Sequence, residues 1–339
     1  MNNVGSRLKK LRIDYGYSQS QIAEYLEIDQ SNLSKIENNK RKLNWLLSDK
    51  LFSLYNVSPE YLLGETDEYE KREIKCKSAK DLDLNIISHI NRLSHDLGIL
   101  RKYDDEKQIC KLPKLKINIK RKWGIDDFSP LNMFNLLPYK IPSLTIGWFP
   151  MKMSVSGCTF RNDDDLIILI NSSQSKGHQN FTLAHELYHL LDDETFVICS
   201  QNFNDDIEKN ADDFASNFLM SENALYDFID TNNIENWTVD DVVKCEQYFQ
   251  LDHFKLIERL YCEKLIDKNQ FEEFYSNIIP KSASLGYDTS LYEPTVEDKK
   301  YYSIGHMICL TEKLYSKDKL TGGVRKDILL DLFRQDIVY

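Results

Sequence analysis
The chain has 339 residues, 29% of them charged, with a net charge of −11 and seven cysteines. That length allows two or three domains, no run approaches the ~18 apolar residues of a membrane span, and no apolar signal segment opens the chain. The cysteines are scattered with no Cys-x-x-Cys pair, which excludes a disulfide framework and points to reduced thiols in a soluble, cytoplasmic protein with no membrane partner.

The acidity is uneven. Residues 1–64 hold nine Lys/Arg against seven Asp/Glu, a local charge of +2, so the remainder sums to −13. Net charge therefore leaves nucleic-acid binding by the first segment open. Leu8, Leu11 and Tyr15 predict a first helix over Gly5–Tyr15. Ser18 is placed to cap a second over Gln19–Leu26, with Ile22, Ala23 and Leu26 inward. After the turn Glu27-Ile28-Asp29, a third begins near Gln30, buries Leu33 and Ile36, and ends at Asn38-Asn39. Two short helices so spaced form a helix-turn-helix whose second member enters the major groove. Its outward residues are Gln30, Ser31, Asn32, Ser34 and Lys35; of these, Gln30, Ser31 and Lys35 are the base-reading candidates. Gln19, Asn38, Lys40, Arg41 and Lys42 are expected to hold phosphates, and Arg12 and Glu37 to pair inside the module. The bland alternative is a small helical domain that docks on protein or mimics a substrate of the second half. The run Ser-Gln-x-x-Ile-Ala…Gln-Ser-x-x-Ser-Lys-Ile-Glu-Asn, with Val57–Gly64, resembles the XRE, or lambda-repressor-like, family. The resemblance implies double-stranded operator DNA as a partner, and a two-fold operator would favour a homodimer.

Residues 65–80 mix charges with few apolar anchors and read as an exposed linker. From Asp81 to Tyr103, Leu84, Ile87, Ile90, Leu93 and Leu97 predict a connecting amphipathic helix. Its His89 and His95, six apart, cannot form an adjacent-turn metal pair. Segment 144–170 predicts two strands joined by the polar turn 161–165.

His185-Glu-x-x-His189 then follows on one predicted helix. A four-residue spacing puts both rings on one face, so two imidazole nitrogens can converge on one Zn²⁺. Glu186 sits where a carboxylate takes the proton of a metal-activated water attacking a peptide carbonyl. Two histidines on a buried helix also arise by chance, so a third ligand decides. Ala211, Phe214, Ala215, Phe218 and Leu219 mark a second amphipathic helix, with Glu208 and Asp212 bordering its apolar stripe. A buried carboxylate needs a partner, so Glu208 is assigned as the third ligand. Asp212 is assigned as the acceptor orienting one ligand histidine. The alternative makes Glu208 an acid favoured by its helix N-terminus.

These motifs, with Ser156–Phe160, Ile167–Asn171 and the Glu-x-x-Ala-x-x-Phe-Ala helix, resemble the ImmA/IrrE family of metallopeptidases over about residues 115–265. The resemblance implies a minimal zincin acting on regulatory proteins, typically helix-turn-helix repressors or antitoxin-like proteins. Tyr188 departs from it, since Gly is common there. In such a fold the sheet edge beside the cleft pairs with substrate. Val155, Ser156, Gly157, Cys158 and Phe160 are the candidates for that edge, and His178 for a substrate contact.

Thr238–Phe249 and Asp252–Leu260 predict further helices, and residues 295–339 a helical tail with no chemical signal. The expected fold is α+β and mostly α, divided as a helix-turn-helix domain (1–66), a charged linker and connecting helix (67–110), a zincin-like domain (111–280) with a short sheet, and a helical region (281–339). The expected function is a DNA-binding regulator carrying a zinc endopeptidase with one Zn²⁺ per chain. A repressor whose zinc domain is a sensor or structural element, and self-cleavage within 65–80, are the competing readings.

Overall fold
The computed structural model describes residues 4–66, 83–105, 112–113, 118–162, 164–192, 196–200, 206–276 and 278–338. The expected linker and self-cleavage segment falls, save residues 65 and 66, outside them. The chain forms two compact units, residues 1–103 and 104–339.

The first unit is all helical: α1 (Val4–Asp14), α2 (Gln19–Tyr25), α3 (Gln30–Glu37), α4 (Trp45–Tyr55), α5 (Pro59–Leu63) and α6 (Leu84–Tyr103). The boundaries follow local chemistry. Ser18 and Gln21 make a reciprocal capping box on α2, Asn44 caps α4, and Ser58 caps α5 with Pro59 in its first turn. Gly5 lets α1 approach the end of α3: a Cβ there would stand 2.1 Å from the Ile36 carbonyl oxygen. The core joins Leu8, Leu11, Ile22, Leu33, Ile36, Leu51, Leu54 and Tyr55 to Leu84 and Ile87 of α6. Asn91 of α6 also donates to the Ser53 and Leu54 carbonyls, and the Tyr25 hydroxyl to Ser88. The helix expected to connect the two halves is thus part of the first unit. Its His89 is buried and its His95 exposed.

The second unit contains α7 (Ile119–Trp123), α8 (Met133–Lys140), β1 (Leu144–Phe149), β2 (Val155–Asn162), β3 (Asp165–Asn171), α9 (Lys176–Leu191), β4 (Phe196–Ser200), α10 (Asp206–Leu219), α11 (Glu222–Asn232), α12 (Val239–Phe249), α13 (His253–Cys262), α14 (Lys268–Phe274), α15 (Ile279–Ser284), β5 (Tyr302–Gly305), α16 (His306–Ser316) and α17 (Gly322–Asp331). Strand order is β4-β2-β3-β1-β5, with only the β1–β3 pair parallel. Segment 144–170 is therefore three strands, not two. Every residue of β3 is buried, which is why it reads as a continuous apolar run instead of alternating. Leu166, Ile168 and Ile170 share one core with Leu183, Ala184, Leu187 and Leu190 of α9 and with Ala215, Phe218 and Leu219 of α10. Each such side chain contributes about 1.5–3 kcal/mol through removal from water.

Two expectations are corrected. β2 is not an edge: it pairs with β3 on one side and with β4 on the other, interrupted only by a register shift between Val155 and Gly157. The tail is not purely helical, since β5 adds antiparallel to β1 and the Met307 N–H donates to Thr145 Oγ1. Among the described residues no helix is long and apolar enough to cross a membrane, and Cys158, Cys245, Cys262 and Cys309 are free thiols.

Candidate metal centre and helix-turn-helix face
α9 delivers the two histidines and α10 the acid. Ser175 caps α9, and fourteen of the helix's sixteen residues are buried, so its rotation about its axis is fixed by packing. His185 Nε2 and His189 Nε2 lie 3.2 Å apart, and Glu208 places its carboxylate oxygens 3.3 Å from the first and 3.7 Å from the second. Ligand atoms about 2.1 Å from a tetrahedral centre are separated by about 3.4 Å, so this His₂Glu set fits one Zn²⁺. It is the one group of three or more metal-ligating side chains among the described residues.

Asp212, one turn after Glu208, accepts from His185 Nδ1 at 2.8 Å and pairs through its other oxygen with Lys255 Nζ at 2.8 Å. Burial depresses the His185 pKa, but the bonds to Asp212 and Glu208 and the charge of Glu186 outweigh it, carrying it from 6.5 to about 9. Burial raises the Asp212 pKa, but His185 and Lys255 win and bring it down to about 2. The structure brings Asp212 and His185 together, and Lys255 is the counter-charge of Asp212.

Glu186 is fully buried beside this cluster, and the Thr159 hydroxyl donates to its Oε2 at 2.6 Å. Gly157, two residues before Thr159 on the same face of β2, makes the room: a Cβ there would meet the Leu169 carbonyl oxygen at 2.9 Å, Thr182 Cγ2 at 2.9 Å and Glu186 Oε1 at 3.1 Å. Tyr188, where the sequence departs from the family pattern, packs edge-on against His189 and against Phe214 of α10. It joins the two site helices and displaces no ligand.

A cleft of about 660 Å³ opens over His185, Glu208 and Asp212 and is walled by Phe181, Phe254, Tyr275 and Tyr292. Of the residues expected to contact substrate, Ser156 and His178 line it. Val155, Gly157, Cys158 and Phe160 do not; they are buried, and Cys158 and Phe160 lie on the face of β2 opposite Gly157 and Thr159. Sequence reading missed Thr159, Lys255 and Asp252. Only the small-residue run around Gly157 hinted at Thr159, and nothing local marked the other two.

In the first unit, Arg12 Nε and Nη2 donate to the two oxygens of buried Glu37 at 2.6 and 3.1 Å, the internal pair expected. Gln19 donates its amide to Glu37 at 2.8 Å, which braces α2 against α3. Gln30, Ser31 and Lys35 are exposed on α3, as are Asn38, Lys40, Arg41 and Lys42 beyond it. Asn32 accepts from Arg41, and Asn38 folds back on the Ser34 carbonyl.

The fold and the site define a two-part chain: a helix-turn-helix domain followed by a domain of a metallopeptidase family. The helix-turn-helix family model matches residues 5–68 and the IrrE N-terminal-like domain model residues 150–256. The chain thus carries an XRE-type helix-turn-helix domain fused to an IrrE/ImmA-like domain. It is 42% identical over 71 residues to the HTH-type transcriptional regulator ImmR of Bacillus subtilis, covering 21% of this chain and 56% of that one. It is 33% identical over 89 residues to the HTH-type transcriptional regulator RamB of Mycobacterium tuberculosis, covering 25% of this chain and 18% of that one. The chain therefore spans little more than half of the first relative and under a fifth of the second. No solved structure matches it.

Proposed function
We propose that the chain is a cytoplasmic, operator-binding transcriptional regulator whose second unit is a zinc endopeptidase that cleaves a helix-turn-helix repressor or antitoxin-like protein. The observation that carries this reading is the placement of Glu186, a buried carboxylate oriented by Thr159 beside a three-ligand His₂Glu set. A structural zinc site closes all four positions with protein ligands, whereas a catalytic one leaves a position open.

His185, His189 and Glu208 would hold the ion. Bound zinc supplies Lewis acidity toward the scissile carbonyl and a water acidic enough to deprotonate near neutral pH. Asp212 accepts the Nδ1–H of His185, which leaves Nε2 to bind, and Lys255 keeps Asp212 ionised. Glu186 takes the proton of the attacking water and returns it to the departing amine nitrogen. Its fixed carboxylate contributes about 10²–10⁴-fold, the usual range for general base catalysis.

On the first unit, Gln30, Ser31 and Lys35 are the base readers, with Lys40, Arg41 and Lys42 on phosphates. Tethering the peptidase to DNA raises its concentration beside a DNA-bound substrate. Both curated relatives are named as transcriptional regulators, which favours a second reading: a repressor whose zinc domain is a sensor. Wild type and Glu186→Gln, each zinc-loaded, separate the two when incubated with a panel of purified helix-turn-helix repressors and antitoxins. The peptidase reading expects wild type to cut one of them and the variant to retain it uncut. Equal operator binding by both forms, with no cleavage or capture by either, leaves the sensor reading.

A further inference from the structure
Away from the metal cluster the cleft holds a second polar centre. His178 lies seven residues before His185 on the same face of α9, about 10 Å along the helix. Its Nδ1 faces Asp252 Oδ2 at 3.2 Å and its Nε2 faces Ser156 Oγ at 3.1 Å. Asp252 is buried; its Oδ1 caps α13 by accepting from the Lys255 N–H at 3.0 Å. Ser156 sits at the irregularity where β2 shifts register against β4 between Val155 and Gly157, and such bulges re-aim side chains.

We propose that Asp252 and His178 are positioning residues that fix Ser156 Oγ as an acceptor for one backbone N–H of a bound extended peptide. Asp252, a carboxylate, accepts the Nδ1–H of His178, and in the tautomer which that bond selects Nε2 is an acceptor. The Ser156 hydroxyl then donates its hydrogen bond to His178 Nε2. Of its two lone pairs, one takes Gln174 Nε2 at 3.3 Å. Among the described residues no other hydrogen-bond donor reaches Ser156 Oγ, so the second lone pair faces the cleft and selects a donor. This inference rests on the peptidase reading for its substrate class and not for its geometry.

The test uses the full chain carrying Glu186→Gln and a fluorescent decapeptide selected by it from a random library. Affinity is measured by anisotropy, with zinc and with chelator, while each peptide nitrogen is methylated in turn. Methylation at one residue should weaken binding at least tenfold when Ser156 is present and less than twofold in Ser156→Ala. Asp252→Asn keeps the cap, because Asn also caps helices, but presents its NH₂ to Nδ1 and inverts the tautomer; it should abolish the same sensitivity. A methyl scan identical in all three proteins, or a library that yields no peptide weakened by Ser156→Ala, overturns the proposal. Restoring Glu186 and seeing no cleavage of a peptide that keeps this binding pattern counts against the peptidase reading alone.

Discussion

Zinc uptake by the metal-free chain should be coupled to loss of a proton from His185. With the pKa of that imidazole at about 9, only ~1% of it is neutral at pH 7, and the cationic ring cannot bind metal. The competing proton costs about 3 kcal/mol at pH 7, a zinc affinity ~100-fold below its plateau. Affinity should therefore rise about tenfold per pH unit from 7 to 9 and level above 9. Nearly one proton should be released per zinc from this group at pH 7.5. Calorimetry in buffers of different ionisation enthalpy, with chelator competition for the tightest range, measures both. Asp212→Asn removes the negative charge beside Nδ1, so its plateau should begin at lower pH, with plateau affinity reduced about 10–100-fold. Stability of the metal-free chain moves the opposite way. The raised His185 pKa contributes stability fully present below 6.5, the ordinary value, and lost as pH rises through about 9. That loss is about 3 kcal/mol before screening and about 2 kcal/mol once the 41% exposed side chain of Asp212 is discounted. Zinc affinity flat between pH 7 and 9, with no proton released, would refute the reasoning.

Gly157→Ala should destabilise the chain by about 1–3 kcal/mol, because its Cβ would enter the space held by Leu169, Thr182 and Glu186. Thermal unfolding reads that cost, and cleavage should fall further than stability alone explains; an unchanged melting temperature contradicts the packing. Lys42→Ala should weaken all DNA sequences alike and lower the salt slope by about one, read by anisotropy at several salt concentrations. Gln30→Ala should instead relax preference at one base pair by about 1–3 kcal/mol. Arg12→Ala leaves Glu37 buried without its main partner, and should cost about 3–5 kcal/mol in denaturant unfolding.

What was legible in the sequence was whatever helical spacing encodes. The His185–His189 and Glu208–Asp212 pairs each sit one turn apart, and amphipathic patterning fixed which way they face. The helix-turn-helix was readable for the same reason, with Ser18 and the Arg12–Glu37 pair as local marks. What escaped depends on which segments meet across long loops. Whether β2 is an edge is settled by β4, forty residues on, and no local pattern in β2 records a neighbour on that side. β5 is four residues long and follows two short 3₁₀ turns, so its alternation is too brief to stand out. Thr159, Lys255 and Asp252 are ordinary polar residues until tertiary packing brings them to Glu186, Asp212 and His178. α6 looked like a connector because its apolar stripe does not say which unit it covers; Asn91 reaching the end of α4 does.

X-ray absorption at the zinc edge of the zinc-loaded full chain tests the central claim most directly. The account predicts one zinc per chain, a shell of only nitrogen and oxygen at about 2.0–2.1 Å, and two imidazoles within it, with the metal lost on Glu208→Ala. A sulfur scatterer at about 2.3 Å, or zinc retained in full after Glu208→Ala, would contradict it.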